Sequence, residues 1–336
     1  MNEDLNILIL SCGTRNKIVQ YFKKELSDMG NVYVTDCSEL APALYEGDQY
    51  FIVPKMTDEG YLETILSICK DYSVKAIFSL IDPEISLLAK NKQAFLDIGT
   101  IPVVSDLEIV EMCFNKYQMY KYLVKNNFKT MKSYIDKDEF YRDVEARKIN
   151  YPVFIKPIKG SASNNINIVR SKEEIELLFN RFDNLMIQEL INGVEYGADV
   201  YIDMLSNDPV AIFTKEKIGM RAGETDKAIS VKDHNMFNLI NRFVKITGFN
   251  GVIDIDIFKV NGEYYISEVN PRFGGGYPHA YESGVNFPRM MIKNLTGNIN
   301  MDEIGNYEEG ICMMKYNDVK VFSKNTVQNN SIRIQL

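Results

Sequence analysis

Short apolar runs alternate with amphipathic stretches through the first hundred residues. Asn6 to Leu10 is a compact apolar run of strand length. Lys17 to Met29 has helical spacing, with Ile18, Val19, Phe22 and Leu26 on one side. Asn31 to Thr35 and Gln49 to Val53 read as further strands, the latter ended by Pro54. Tyr61 to Cys69 reads as a helix and Val74 to Leu80 as a strand. This rhythm predicts a parallel sheet with right-handed crossovers. Ligands of such sheets sit beyond the carboxyl ends of the strands. Here those ends carry Ser11-Cys12-Gly13-Thr14-Arg15, Asp36 and Ile81-Asp82-Pro83-Glu84.

Near residue 105 the pattern changes. Ser105-Asp106 is placed to cap a helix running toward Asn127, and Pro152 to Ile155 starts another strand. Hairpins and helices then mix, which is α+β rather than doubly wound. The loop after the first strand has one glycine where a dinucleotide fingerprint needs three. A plain strand-to-helix turn, which needs only Gly13, is the favoured reading.

Composition narrows the function classes. Hydrophobic residues make up 46% and charged residues 25%, which is ordinary globular usage. A net charge of −8 gives no overall pull toward nucleic acid or an anionic membrane, so any bound phosphate needs a local site. No apolar run approaches the roughly 20 residues of a membrane span. The stretch at Leu5 to Leu10 follows Glu3 and Asp4, the wrong charge for a signal peptide. Five scattered cysteines without a CxxC pair predict reduced thiols in a cytoplasmic protein. Two histidines, His234 and His279, leave little room for a zinc site or a Ser-His-Asp hydrolase.

Three segments carry chemistry. In the first, a strand ends on Lys156 and enters a loop of small residues, Gly160-Ser161-Ala162-Ser163. Such a loop can lay backbone N–H groups over a polyphosphate, with lysine as a nearby charge. It can equally be a plain hairpin tip. In the second, Met186-Ile187-Gln188-Glu189 leads through Ile191 and Gly193 to Glu195. These carboxylates suit the hydrogen-bond donors of adenine and ribose, or are simply solvated acids flanking a turn. In the third, Asp254 and Asp256 alternate with apolar residues, and Glu268-Val269-Asn270-Pro271-Arg272 runs into three glycines. Oxygen ligands on adjacent strands are what Mg²⁺ takes together with phosphate. A guanidinium just beyond them suits a transferring phosphoryl group.

In this order the segments resemble the ATP-grasp superfamily, and most closely its carbamoyl-phosphate-synthetase-like, carboxylate–amine ligase branch, over roughly residues 5 to 300. The resemblance implies an α/β N-terminal pre-ATP-grasp domain with a parallel sheet over residues 1–105. An α+β ATP-grasp domain of two subdomains would follow over 106–300, its lid near 125–190, with a C-terminal extension over 301–336. It implies ATP as nucleotide and Mg²⁺ as metal, with Mn²⁺ an alternative. By resemblance Lys116 and Lys156 are the phosphate lysines, and Gly160, Ser161 and Ser163 belong to the lid loop. Glu189 and the Ile191 backbone would read adenine, and Glu195 ribose. Gly219, Met220 and Arg221 would line the phosphate and acyl end. Asp256, Glu268 and Asn270 would hold the metal, and Arg272, Arg221 and Lys156 would act on the transferred phosphoryl group. Departures are the single glycine in the lid loop, Asp256 where glutamine is common, and one grasp unit in place of the tandem form.

The activity implied is activation of a carboxylate as an acyl phosphate, followed by attack of an amine or thiol. Alternatives are formation of carboxyphosphate by a synthetase-like enzyme, and a regulator that only binds ATP. Partners would be small carboxylate and amine substrates, with neither nucleic acid nor membrane; a homodimer stays open. Arg15, Asp82, Glu84, Tyr277, His279, Tyr281 and Glu282 are expected to face the substrate, whose mixed charges suit an amino acid or, equally, a larger cell-envelope or natural-product carboxylate. Tyr277 and Tyr281 have an alternative role as packing beneath the glycine loop.

The metal reading also makes a demand on strand register. A two-residue Asn261-Gly262 turn pairs Val260 with Glu263, and an unbroken ladder then sets Glu268 opposite Ile255, pointing away from both aspartates. A three-residue loop, Val260-Asn261-Gly262, sets Glu268 opposite Asp254 instead. The expectation is therefore the odd-length turn, failing which a bulge must precede Glu268.

Overall fold

The computed structural model describes residues 4–160, 167–323 and 332–333. The chain opens with β1 (Asn6–Leu10), α1 (Asn16–Leu26), β2 (Val32–Asp36), β3 (Gln49–Ile52), α2 (Tyr61–Asp71), β4 (Val74–Ser79), α3 (Asp82–Lys90), α4 (Lys92–Leu96) and β5 (Ile101–Pro102). These strands form a parallel sheet in the order β3-β2-β1-β4-β5. Both faces of β1 and β2 are buried, which is why these strands read as unbroken apolar runs. Helix α3 begins where a loop was expected: Pro83 near its start and Asp82 and Glu84 in its first turn suit a helix N-terminus.

Next come α5 (Leu107–Phe114) and α6 (Lys116–Lys125). They occupy the stretch expected to be one helix. Asn115 breaks it by adopting an extended conformation and accepting a hydrogen bond from the Gln118 amide. Then follow β6 (Ser133–Tyr134), α7 (Lys137–Glu145), β7 (Val153–Pro157), β8 (Asn167–Val169), α8 (Lys172–Arg181) and β9 (Leu185–Glu189). Their four strands make a small antiparallel sheet, β6-β9-β7-β8, with its own core around Phe140, Ile155, Ile175 and Ile187.

The third sheet is built from β10 (Val194–Ile202), β11 (Pro209–Arg221) and β12 (Glu224–Val231), then, after α9 (His234–Thr247), β13 (Gly251–Val260) and β14 (Glu263–Asn270). Helices α10 (Pro278–Glu282) and α11 (Phe287–Leu295) precede β15 (Cys312–Met314). The order is β14-β13-β10-β11-β12-β15, antiparallel throughout. A final strand, β16 (Ile332–Arg333), pairs with β3 of the first sheet.

One continuous core joins the first and third sheets. At the junction Phe273 packs on Phe22 of α1 and Phe78 of β4, with ring centroids 5.9 and 5.7 Å away. The loop just after β14 is thereby fixed against the parallel sheet. Among the described residues no helix is long and apolar enough to cross a membrane.

Candidate active site

The β13–β14 hairpin sets the geometry. Its turn is the two-residue Asn261-Gly262, with Val260 opposite Glu263. Both turn residues have positive φ, 49° and 82°, as the tight hairpin turn with matching twist requires. The expected three-residue loop is therefore wrong, and Glu268 does not lie opposite Asp254. Instead the register shifts between Ile257 and Asp256, so that Ser267 is the extra residue of a bulge. Beyond it Asp256 pairs with Glu268, and Asp254 with Asn270. Directly opposed residues share a face. All four oxygen-bearing side chains thus project to one side.

The same side receives two lysines. Pairing places Gly197 and Asp199 of β10 beside Asp256 and Asp254, and Lys215 of β11 beside Gly197. Lys217 lies two residues further along the same face. Its ammonium hydrogen-bonds Asp256 and lies 2.9 Å from Glu195. To reach Asp256 it must pass over the intervening strand, and Gly197 is where it crosses. A Cβ there would stand 3.1 Å from Lys215 Cε and 3.2 Å from Lys217 Cε. Burial opposes the Lys217 charge, yet Asp256, Glu195 and Asp254 hold its pKa above the ordinary lysine value. Lys215 is buried against Asp199 in an ion pair that is 1% exposed on each side. Burial, then repulsion from Asp256 and Asp199, pushes the Asp254 carboxyl up to about 7.

Facing these acids are the two expected phosphate lysines. Lys116 opens α6, and its amide donates to Ile158 O at 2.9 Å. Its ammonium donates to Gly160 O and lies 3.5 Å from Glu268. Lys156 is the penultimate residue of β7 and is buried, with its pKa drawn down to about 8 by burial and by Lys116, while Glu268 and Asp256 work against that shift. A cleft lined by Asp82, Cys113, Lys116, Gly160, Glu268 and Asn270 brings the start of α3, the α5–α6 stretch, the loop after β7 and the end of β14 together. Ser161 and Ser163 lie outside the described residues.

Arg272 follows immediately. Its Nε and Nη2 donate to the two carboxylate oxygens of Asp82, at 2.7 and 3.1 Å, and its Nη1 to Phe273 O at 3.1 Å. Burial opposes this charge, and Asp82 more than offsets it. A fork held from the first sheet is thus aimed beside the metal-type acids.

The other expected residues are more dispersed. Glu189 ends β9, and its side chain accepts from the Lys132 amide at 3.1 Å. Ile191 lies in the loop between β9 and β10. Gly219, Met220 and Arg221 end β11, where two register shifts distort the ladder. Arg221 pairs with Asp226 of its own hairpin at 2.7 Å, at the exposed tip. Five of the seven residues expected to face the substrate are buried: Asp82, Glu84, Tyr277, His279 and Tyr281. Tyr277 receives the Phe287 amide at 2.8 Å and donates to Val285 O at 3.2 Å. His279 shares a hydrogen bond with Ile311 O at 2.9 Å. Glu84 accepts from Ser11 at 3.0 Å and from Ser79 and Tyr61, and burial raises its pKa. Tyr281 stacks on Tyr21 with centroids 3.6 Å apart, the packing role, and Glu282 accepts from the Tyr21 hydroxyl.

Sequence reasoning missed Asp199, Lys215 and Lys217. The available signal was Lys215 and Lys217 two apart after the apolar run Val210 to Phe213, a period-2 spacing that puts both on one face. It also missed Glu224 and Lys315, which join Arg15 below.

The donor set suits a hard divalent cation. Asp256 and Glu268 offer carboxylate oxygens from opposed positions, and Asn270 an amide oxygen two residues on. Lysines lie on both carboxylates, so the local charge is balanced without drawing the acids away from the cleft.

A family model described as the PylC-like N-terminal domain matches residues 7–104, and one described as an ATP-grasp domain matches residues 113–276. Carbamoyl-phosphate synthase of Methanobrevibacter smithii is 24% identical over 286 residues, covering 81% of this chain and 76% of that protein. The arginine-specific large chain of carbamoyl phosphate synthase from Geobacillus stearothermophilus is 26% identical over 194 residues, which is 53% of this chain but 18% of that protein. Among solved structures, the biotin carboxylase domain of Hydrogenobacter thermophilus 2-oxoglutarate carboxylase, in complex with MgADP and bicarbonate, matches with a TM-score of 0.73 at 16% identity, covering 91% of this chain and 73% of that one. That last likeness speaks to the fold. The family match identifies residues 113–276 as an ATP-grasp domain, and it is there that lysines from one side and opposed acids from the other meet in one cleft.

Proposed function

We propose that the protein is an ATP-dependent carboxylate–amine ligase that works through an acyl phosphate. The observation that carries the proposal is the shared face of Asp256, Glu268 and Asn270, set between Lys116 and Lys156 on one side and Arg272 on the other. In this reading Asp256, Glu268 and Asn270 hold Mg²⁺, and bound MgATP supplies the phosphoryl group. Lys116 and Lys156 bind nucleotide phosphate. Glu189, the Ile191 backbone and Glu195 take the nucleoside. Gly160, whose carbonyl accepts from Lys116, borders the phosphate site. Arg272, prealigned by Asp82, offsets the charge that grows on the phosphoryl group during transfer. Arg221, with Gly219 and Met220, belongs to an exposed hairpin tip that would have to fold inward to take part. The substrates are small carboxylates and amines, and free thiols fit a cytoplasmic setting.

The test is ADP release with MgATP across a panel of carboxylates and amines, with hydroxylamine added to trap an acyl phosphate as the hydroxamate. Release driven by a carboxylate plus an amine, with a trapped hydroxamate, supports the ligase. Release with bicarbonate alone would point to carboxyphosphate chemistry. Tight ATP binding without turnover on any pair would leave a regulator.

A further inference from the structure

Next to Arg272 lies a second charged cluster that the nucleotide reading leaves unused. Arg15 comes from the loop after β1, Glu224 from the start of β12, and Lys315 from just beyond β15. Arg15 Nη2 lies 2.8 Å from one Glu224 oxygen, and Lys315 Nζ 2.9 Å from the other. Three distant chain segments therefore converge on one carboxylate. Their formal charges, two positive and one negative, leave a net charge of +1. The three side chains are 24%, 35% and 24% exposed, so the cluster is open to a ligand yet not freely solvated.

The surroundings are built to hold it. Gly275 packs so closely that a Cβ would stand 2.6 Å from Glu224 Cδ and 2.8 Å from Arg15 Nη1. The Lys315 amide donates to Asp226 O at 2.9 Å, pinning the segment that carries the side chain. Arg272 and Asp82 lie within electrostatic range of Arg15, and Arg272 of Glu224, so the cluster borders the phosphoryl site rather than a remote surface.

We propose that Arg15, Glu224 and Lys315 select the amine-bearing substrate as a zwitterion, with Arg15 and Lys315 gripping a free carboxylate and Glu224 holding the ammonium group. The proposal rests on the ligase reading for what happens next, but not for binding itself. The two charges of a zwitterion cancel, so the cluster keeps its net +1 while the cationic pair gains a second carboxylate to share. The ammonium group replaces part of what Glu224 loses when the cations turn to the ligand. An amine lacking the carboxylate leaves two desolvated cations sharing one acid and gains little.

Binding is measured by thermal shift in the presence of MgADP, with the common α-amino acids and their carboxamides as probes. The wild-type protein is expected to be stabilised by at least one amino acid and not by its carboxamide. Lys315→Gln is expected to weaken that amino acid's apparent affinity roughly tenfold or more, the range for a lost charge-assisted hydrogen bond. Lys315→Arg should recover most of it. The MgADP shift itself should persist in both variants, which shows that they fold. No response to any amino acid, an equal response to acid and carboxamide, or an undiminished response in Lys315→Gln would each overturn the proposal. Separately, hydroxamate formation tests the ligase: amino acid binding without any trapped acyl phosphate would sink that reading and leave the zwitterion site standing.

Discussion

Replacing Gly274 by alanine is the sharpest available probe of the acid face. Its backbone is outside the left-handed region, so alanine adds a Cβ and nothing else. That Cβ would stand 2.5 Å from Asp254 Cγ and Oδ1, and 2.9 Å from Oδ2. Ordinary carbon–carbon contact begins near 3.5 Å, so about 1 Å must be absorbed. Asp254 has few ways to absorb it. It is short, Asn270 is its partner on one neighbouring strand, and Asp199 on the other. Overpacking of this kind costs about 1–3 kcal/mol, or a few degrees in melting temperature. The functional loss should be larger. Asn270 is carried on the disturbed pair, and a misplacement of about 1 Å in catalytic geometry can cost roughly a hundredfold in rate. Calorimetric melting and Mg-dependent ADP release, measured on the same preparation, separate the two effects. Gly275→Ala is the internal control, because its Cβ meets the ends of long, flexible side chains and should cost less stability. ADP release by Gly274→Ala within about threefold of wild type would refute the claim that Asp254 and Asn270 move together.

Three further outcomes are expected. Glu268→Gln and Asn270→Ala should each abolish Mg-dependent turnover while metal-free ATP binding, followed by equilibrium dialysis, stays near wild type; preserved turnover in either would remove that residue from the metal set. Arg272→Ala should lower kcat far more than it raises KM, because its partner charge grows only during transfer, and Asp82→Asn should show a weaker version of the same pattern. Acid stability should depend on His279, whose pKa burial and the adjacent Lys215 draw down to about 4. The unfolded chain, near 6.5, binds the proton first, so stability is undiminished above pH 6.5 and falls as pH drops toward 4. The loss approaches about 3 kcal/mol there. His279→Gln should flatten urea-denaturation midpoints over that range, and a variant that tracks wild type would show the burden lies elsewhere.

The parallel sheet was legible because β1, β2 and β4 are apolar runs bounded by turn residues, a signal that needs no tertiary context. So was the Glu268-Val269-Asn270-Pro271-Arg272 strand end, since acids at period 2 have no good reason to exist on a purely structural hairpin. The break at Asn115 was not legible. An asparagine inside an amphipathic stretch is tolerated by a helix, and only the β7 loop folding back onto Lys116 makes the cap preferable. His279 misled, and Tyr277 left two roles open, for a related reason. Polar tips on large rings suit a site or a core equally, and the choice depended on whether backbone groups from 285–287 and 311 came within reach. The ion pairs of Lys217 and Arg15 join residues 39 and 209 apart in the chain, Lys217 to Asp256 and Arg15 to Glu224. No local pattern encodes such pairings.

The bulge at Ser267 separates two decisions that a regular hairpin would tie together. In an unbroken ladder, the length of the turn dictates which face every later residue occupies, so a tip optimised for fast, tight closure would fix the chemistry by parity alone. One supernumerary residue halfway along resets the phase. The Asn261-Gly262 end can then answer to folding, and the Glu268 end to catalysis, with neither constraining the other. Removing Ser267 should accordingly be gentler than it looks: Ile266 still meets Ile257, Glu268 still meets Asp256, and only the local kink is lost. Adding a residue beside it is the dangerous edit, because it turns the acids over while leaving the composition of the strand nearly unchanged.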